Sequence, residues 1–155
     1  MAKFECEIPY ELINEFKDLE DNLVDIFGAM CRAGAEVVHN NTLKNMKRSF
    51  KTTRSLEKGL KITRVYKTPS DDGINVHIGF YGYDNIPTKK YPKGKPIPLK
   101  AMAREYGTST EAKRPFFRKS FNKSEIEDEM MKIEEKYFKG LWWFYEQRIE
   151  DNIWR

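Results

Sequence analysis

From Leu12 onward the apolar residues Leu12, Phe16, Leu19, Leu23, Ile26, Met30, Ala33 and Val37 recur in alternating steps of four and three against an acidic background. An α-helix brings such positions to one side, so the spacing predicts a long N-terminal helix with one narrow apolar seam. Pro9 stands where a first helical residue tolerates proline, because the N–H it lacks would have had no partner there. Gly28 and Gly34 each weaken a helix by about 1 kcal/mol relative to Ala, which marks a bend or a close helix contact near them. The Asn40-Asn41-Thr42 cluster is a point where the helix is expected to end or be interrupted. The seam serves either an intramolecular core or a coiled-coil partner, and a pattern shorter than four heptads favours the core.

Further along, Leu60, Ile62, Arg64 and Tyr66 alternate loosely with their neighbours, and Ile74, Val76, Ile78 and Phe80 alternate strictly. With Ser70-Asp71-Asp72-Gly73 between them, they predict two strands joined by a turn. Tyr81 to Pro98 contains Pro87, Pro92, Pro96, Pro98, Gly82 and Gly94 among four lysines, a composition that holds neither a helix nor a central strand. The expectation over 81–98 is a long exposed loop, an interaction element rather than filler. Leu99, Met102, Ala103 and Tyr106 then give a short amphipathic helix that Gly107 can stop. Ser124 and Glu127 form a capping box for a long C-terminal helix over about 124–150, with Ile126, Met130, Ile133, Tyr137, Leu141, Tyr145 and Ile149 at helical spacing. The fold class is α+β: a long N-terminal helix, a small antiparallel β-sheet, a short helix and a long C-terminal helix.

A chain of 155 residues with 39% hydrophobic composition suits one domain, 1–155, around one core. The first twenty residues carry Glu5, Glu7 and Glu11 and no continuous apolar stretch, so no signal peptide is expected. The most apolar window, Leu141 to Tyr145, is far shorter than the roughly 20 residues that span a bilayer, and no membrane partner is expected. Cys6 and Cys31 are too few for a disulfide framework and read as packing residues. His39 and His77 have no companion at ligand spacing, so no metal site is proposed.

The net charge of +4 conceals a segregation. Glu5 to Asp25 and Glu125 to Glu135 are acidic, Lys44 to Lys67 holds nine Lys or Arg against one Glu, and a second basic stretch runs from Lys89 to Lys123. These stretches are solvated faces, a nucleic-acid footprint, or complementary surfaces between subunits.

No nucleophile elbow, zinc-protease motif, paired-cysteine motif or Walker loop is present. Gly107-Thr108-Ser109-Thr110 lacks the second glycine and lysine of a phosphate loop. Glu125, Glu127, Asp128 and Glu129 open a helix, where its dipole favours negative charge, so they read as capping residues rather than metal ligands. Neither enzymatic activity nor a cofactor is expected. Trp142, Trp143, Phe144 and Tyr145 are consecutive, and four adjacent aromatics on a helix cannot all face one core. Trp142 and Trp143 are therefore candidate interface residues.

The stretch from Leu99 to Thr108, followed by Ala112-Lys113-Arg114-Pro115-Phe116-Phe117-Arg118, resembles a family of neck and tail-completion proteins of long-tailed bacteriophages. The shared pattern is an alanine, a spacer, Glu-aromatic-Gly-Thr, a short gap, and Ala-x-Arg-Pro-Phe-hydrophobic-Arg. Asn45-Met46-Lys47-Arg48-Ser49-Phe50 is similar to the lead-in to that family's first strand. The resemblance covers roughly residues 10 to 140 and rests on about twenty of them.

It implies a structural virion protein of the neck or tail, a ring of six copies that completes the tail or connects it to the head, made in the bacterial host cytoplasm and ending in the virion. Its partners would be copies of itself, other neck and tail proteins, and genomic DNA passing through the channel without sequence preference. The motif residues Glu105, Tyr106, Gly107, Thr108, Arg114, Pro115 and Phe116 read as an architectural hinge. In that hinge Gly107 stops the short helix, Tyr106 lies on its apolar side, Pro115 opens a helical turn and Glu105 bridges to Arg114. Lys89, Lys90, Lys93 and Lys95 on the loop are the second set of interface candidates. The alternative from a different class is a small basic nucleic-acid-binding protein, supported by interleaved lysines and aromatics.

Overall fold

The computed structural model describes the backbone of residues 10–70 and 73–153 and the side chains of residues 22–70 and 73–139. Helix α1 runs over Tyr10–Ser49 and is followed by a short helix, α2, at Arg54–Gly59. Four short strands come next, β1 (Leu60–Ile62), β2 (Tyr66–Lys67), β3 (Ile74–Asn75) and β4 (Ile78–Phe80). Helix α3 spans Ile97–Tyr106, a 3₁₀ turn occupies Arg118–Ser120, and α4 closes the order at Lys123–Ile153. This is the mixed helix-and-sheet arrangement expected from the periodicities.

Helix α1 does not end at Asn40-Asn41-Thr42, because the side chains of Asn41 and Thr42, which would compete with the backbone, have partners on another element or within the helix. Thr42 is fully buried and its hydroxyl donates to the carbonyl of Val38 at 2.7 Å. Asn41 reaches Glu125 on α4 at 2.6 Å, and Asn45 reaches the Ser120 hydroxyl at 3.0 Å. The segment Asn45–Ser49 is accordingly the last part of α1 rather than a lead-in to a strand, and α2 intervenes before β1. The buried face also rotates along α1. Met30, Ala33 and Val37 of the seam are half-buried, while Gly34, Val38, Thr42, Met46 and Phe50, each four residues from the last, are buried. The seam residues Leu12, Phe16 and Leu19, together with Cys6 and Pro9, lie outside the residues whose side chains are described.

Strands β1 and β4 pair antiparallel from Leu60–Phe80 to Ile62–Ile78, and the amide of Thr63 extends the ladder to the carbonyl of His77 at 2.8 Å. Pairing resumes between β2 and β3 at Tyr66–Asn75 and Lys67–Ile74. Between these two ladders Arg64 and Val65 stand opposite the single residue Val76, a β-bulge that divides the pairing into two separate two-stranded sheets. The bulge faces α1: a Cβ on Gly28 would lie 3.1 Å from a Val65 methyl, so the glycine admits the strand against the helix. Gly34 does the same for α4, where a Cβ would lie 3.0 Å from Ile126 and 3.3 Å from Met130. Both glycines thus mark close contacts. The Asn41–Glu125 and Gly34–Met130 neighbours make α1 and α4 antiparallel.

The core lies where α1, α2, α3 and β4 meet, and contains Met46, Phe50, Leu56, Ile97, Ala101 and Phe116 with Phe80 and Phe117 packed against it. Phe116 is fully buried and meets Phe50 and Phe80 edge to face, with ring centroids at 5.3 and 5.9 Å. At the start of α4 the Asn122 carbonyl accepts the Ile126 amide at 3.1 Å, which puts the cap two residues before the expected Ser124 and places Ser124 inside the first turn.

Candidate functional site

Counting back from Gly107 in α3 locates an unexpected buried group. Gly107 does stop the helix, with φ +80° and its amide donating to Ala103 at 3.0 Å. The buried positions of α3 are Ile97, Ala101 and Glu105, spaced by four, and not the face of Leu99, Met102 and Tyr106. The core next to α3 is already filled by Phe116 and its neighbours, and what the adjoining segment still requires is a hydrogen-bond acceptor. Glu105, only 4% exposed, supplies it. One carboxylate oxygen accepts the amides of Phe116 at 2.7 Å and Phe117 at 2.9 Å, and the other accepts the amide of Arg118 at 3.3 Å and its Nε at 3.0 Å.

These are the amides at the entrance to the 3₁₀ turn, which have no acceptor within the turn itself, so the carboxylate acts as a cap delivered from another helix. Burial pushes the Glu105 carboxyl up. The amides of Phe117 and Phe116, the Arg118 guanidinium and the Arg118 amide together outweigh it and hold the group below its ordinary value.

The expected Glu105–Arg114 bridge is not present. Arg114 instead donates through Nη1 to the Ser49 carbonyl at the end of α1, 3.3 Å away, and through its amide to Arg104 at 2.8 Å. Arg118 takes the place beside Glu105. Tyr106 is 61% exposed, not on a buried side of α3, and its ring lies under the Arg118 guanidinium at 5.2 Å. Thr108 organises the gap in the motif, its hydroxyl accepting the amides of Thr110 at 3.3 Å and Glu111 at 3.1 Å. Pro115 is half-buried in irregular chain, three residues before the helical turn that it was expected to open. The structure therefore brings Glu105 and Phe116 together with Arg118, and leaves Gly107, Thr108 and Arg114 as the loop around them. The signal for Glu105 was its distance of eight residues from Ile97, two steps of four along one helix face.

With Glu105 inward, the large apolar residues of α3 face outward: Leu99 is 39% exposed and Met102 57%. Beside them a groove of about 220 Å³ runs between Phe80, Met102, Tyr106 and Phe117, and exposed Phe121 stacks edge to face on Phe117 at 5.3 Å. The loop lysines do not act as one set. Lys89, Lys90 and Lys93 are exposed, whereas Lys95 is half-buried at the loop's base.

That base is ordered by Asp84, which is buried, receives the amides of Lys95 at 2.7 Å and Ile86 at 3.2 Å, and pairs with Lys100. The Lys100 ammonium beside it holds the Asp84 carboxyl below its ordinary value, with the two amides adding to the effect. Trp142 and Trp143 lie in α4, but their side chains are outside the described residues. Among the described residues no group of three His, Cys, Asp or Glu side chains converges to hold a metal, and no helix is long and apolar enough to cross a membrane.

No family model, curated protein or solved structure matches the chain.

Proposed function

We propose that this protein is a structural subunit of the neck or tail of a long-tailed bacteriophage, which closes into a ring with copies of itself and completes the tail or joins it to the head. The observation that supports this best is the outward apolar stripe of α3, Leu99, Met102 and Tyr106, on a helix whose buried face carries the ionised Glu105. A folded chain gains nothing by exposing three large apolar side chains in a row, and such a patch is usually covered by a partner. The motif that resembles the neck and tail-completion family surrounds this stripe, with Glu105 fixing the segment on which Phe117 and Phe121 stand.

In a ring, each subunit meets its neighbours through two different surfaces. The acidic stretch Glu125 to Glu135 and the basic stretch Lys44 to Lys67 are of the signs that such a pair of surfaces requires. On this reading the protein works by fit rather than by catalysis, and six copies follow from the resemblance. Its place is the virion, after assembly in the host cytoplasm.

Sedimentation of the purified protein at low and high ionic strength, alongside a Met102→Glu variant, tests the proposal. The native protein is expected to form an oligomer that salt loosens, and the variant to stay smaller while melting at the same temperature. A salt-indifferent monomer at micromolar concentration would count against it.

A further inference from the structure

Four cations from three separate parts of the chain converge on a cavity of about 190 Å³ where the end of α1, α2 and α3 meet. Lys51 comes from the corner after α1, Lys95 from the base of the proline-rich loop, and Lys100 and Arg104 from successive turns of α3. Two of the four side chains are held in place. The Arg104 guanidinium lies over the Phe50 ring at 5.5 Å and pairs with Glu111 at 3.2 Å, and Lys100 is tied to Asp84, which also holds the Lys95 backbone amide. Asp84 and Glu111 offset two of the four charges. Lys51 and Lys95 take no carboxylate partner among the described residues, so two positive charges face the cavity uncompensated.

Gathering like charges is unfavourable unless an anion joins them. Ammonium groups beside a guanidinium fork suit phosphate oxygens, and an aromatic ring that holds the fork in place reduces what binding must still order. Further cations lie close in the chain to the cavity's own. Lys89, Lys90 and Lys93 are exposed on the loop that ends at Lys95, and Lys47, Arg48 and Arg54 are exposed within four residues of Lys51 in the chain. An isolated phosphate would use only the centre of such a surface, whereas a chain of phosphates would use all of it.

We infer that this cavity is a phosphate-binding site that grips the backbone of double-stranded DNA without reading its sequence. The site belongs to the single subunit and does not rest on the ring, because every residue in it comes from one chain.

Fluorescence anisotropy with a short labelled DNA duplex, titrated from about 50 to 200 mM salt, tests it, since phosphate contacts make affinity fall steeply with salt. Lys51→Gln combined with Lys95→Gln removes the two uncompensated charges and leaves the groups that Phe50 and Asp84 depend on. Lys119→Gln combined with Lys136→Gln makes the same change of net charge at exposed positions away from the cavity. The first pair is expected to weaken binding about tenfold at the low-salt end and to reduce the slope of log affinity against log salt by about 1 to 2. The control pair is expected to change neither by more than about twofold. Equal losses in both pairs, no loss in the first, or no binding by the native protein would overturn the inference. So would binding of inorganic phosphate or tripolyphosphate at the cavity with no affinity for the duplex.

Discussion

The Oε2 atom of Glu105 lies 2.7 Å from the backbone nitrogen of Phe116, so a carboxylate on the buried face of α3 fixes the segment that inserts the central aromatic ring of the core. The same oxygen takes the Phe117 amide, and Arg118 closes the other side of the carboxylate. Core and outer surface are thereby coupled. The group that holds Phe116 inward also sets the position of Phe117 and Arg118 at the groove.

Replacing Glu105 with Ala leaves the Phe116 and Phe117 amides without their acceptor. An orphaned buried donor costs about 1–3 kcal/mol, so the variant is expected to lose roughly 3 kcal/mol. In a chain of this size that lowers Tm by about 6–12 °C. Glu105→Gln keeps one acceptor oxygen and is expected to lose less. Thermal melts followed by circular dichroism check this, and a Glu105→Ala protein that melts with the native one would contradict it.

Acid should unfold the protein through the same group. The folded-state pKa of Glu105 lies below the ordinary value of 4.5, and that of Asp84 below 3.8. A carboxyl depressed in the folded state contributes stability that is fully present above its unfolded pKa and is lost as pH falls through the folded value. Stability is therefore expected to be flat with respect to these two groups near neutrality and to decline below about pH 4.5. Urea midpoints measured from pH 7 to pH 3 should show a shallower decline for Glu105→Gln than for the native protein. An equally steep decline would sink the assignment.

The close approach of α1 and α4 rests on Gly34. Valine there would push its branches against Ile126 and Met130, and overpacking of this kind costs about 1–3 kcal/mol. Alanine is expected to be nearly neutral, since a helix-propensity gain of about 1 kcal/mol offsets a tight Cβ. Urea denaturation separates the two, and equal midpoints for Gly34→Ala and Gly34→Val would contradict the packing.

The proline-rich loop is expected to loosen as a unit when Asp84 is replaced by Ala, because Asp84 gathers Ile86, Lys95 and Lys100 at its base. Gly94 adds a second constraint: its φ is +91° and a Cβ there would fall 1.7 Å from the Asp84 carbonyl oxygen, so Gly94→Ala cannot keep this geometry. In amide hydrogen exchange, both variants should lose protection over residues 84–95 while α1 keeps it. Unchanged exchange over the loop would refute the role given to Asp84.

Much of the fold was legible because the signals were local. The four–three spacing led to α1, strict alternation to the hairpin, and proline density to the break before α3. What escaped the sequence was decided by groups far apart in the chain. Asn41 reads as part of a helix break, and Asn45 as part of a lead-in to a strand, until their partners, Glu125 and Ser120, are brought beside them. The face of α3 was misjudged because apolarity pointed to Met102 and Tyr106, whereas the core there required the acceptor on Glu105. The sequence reading pairs Glu105 with Arg114. The 3₁₀ turn chooses Arg118, since its amide and guanidinium both face the carboxylate.

Electron micrographs of phage particles bearing an antibody label against this chain test the assembly role most directly. Label confined to the junction of head and tail, or to the adjoining end of the tail, is the expected result. Particles without label, with the chain left free in the lysate, would contradict it.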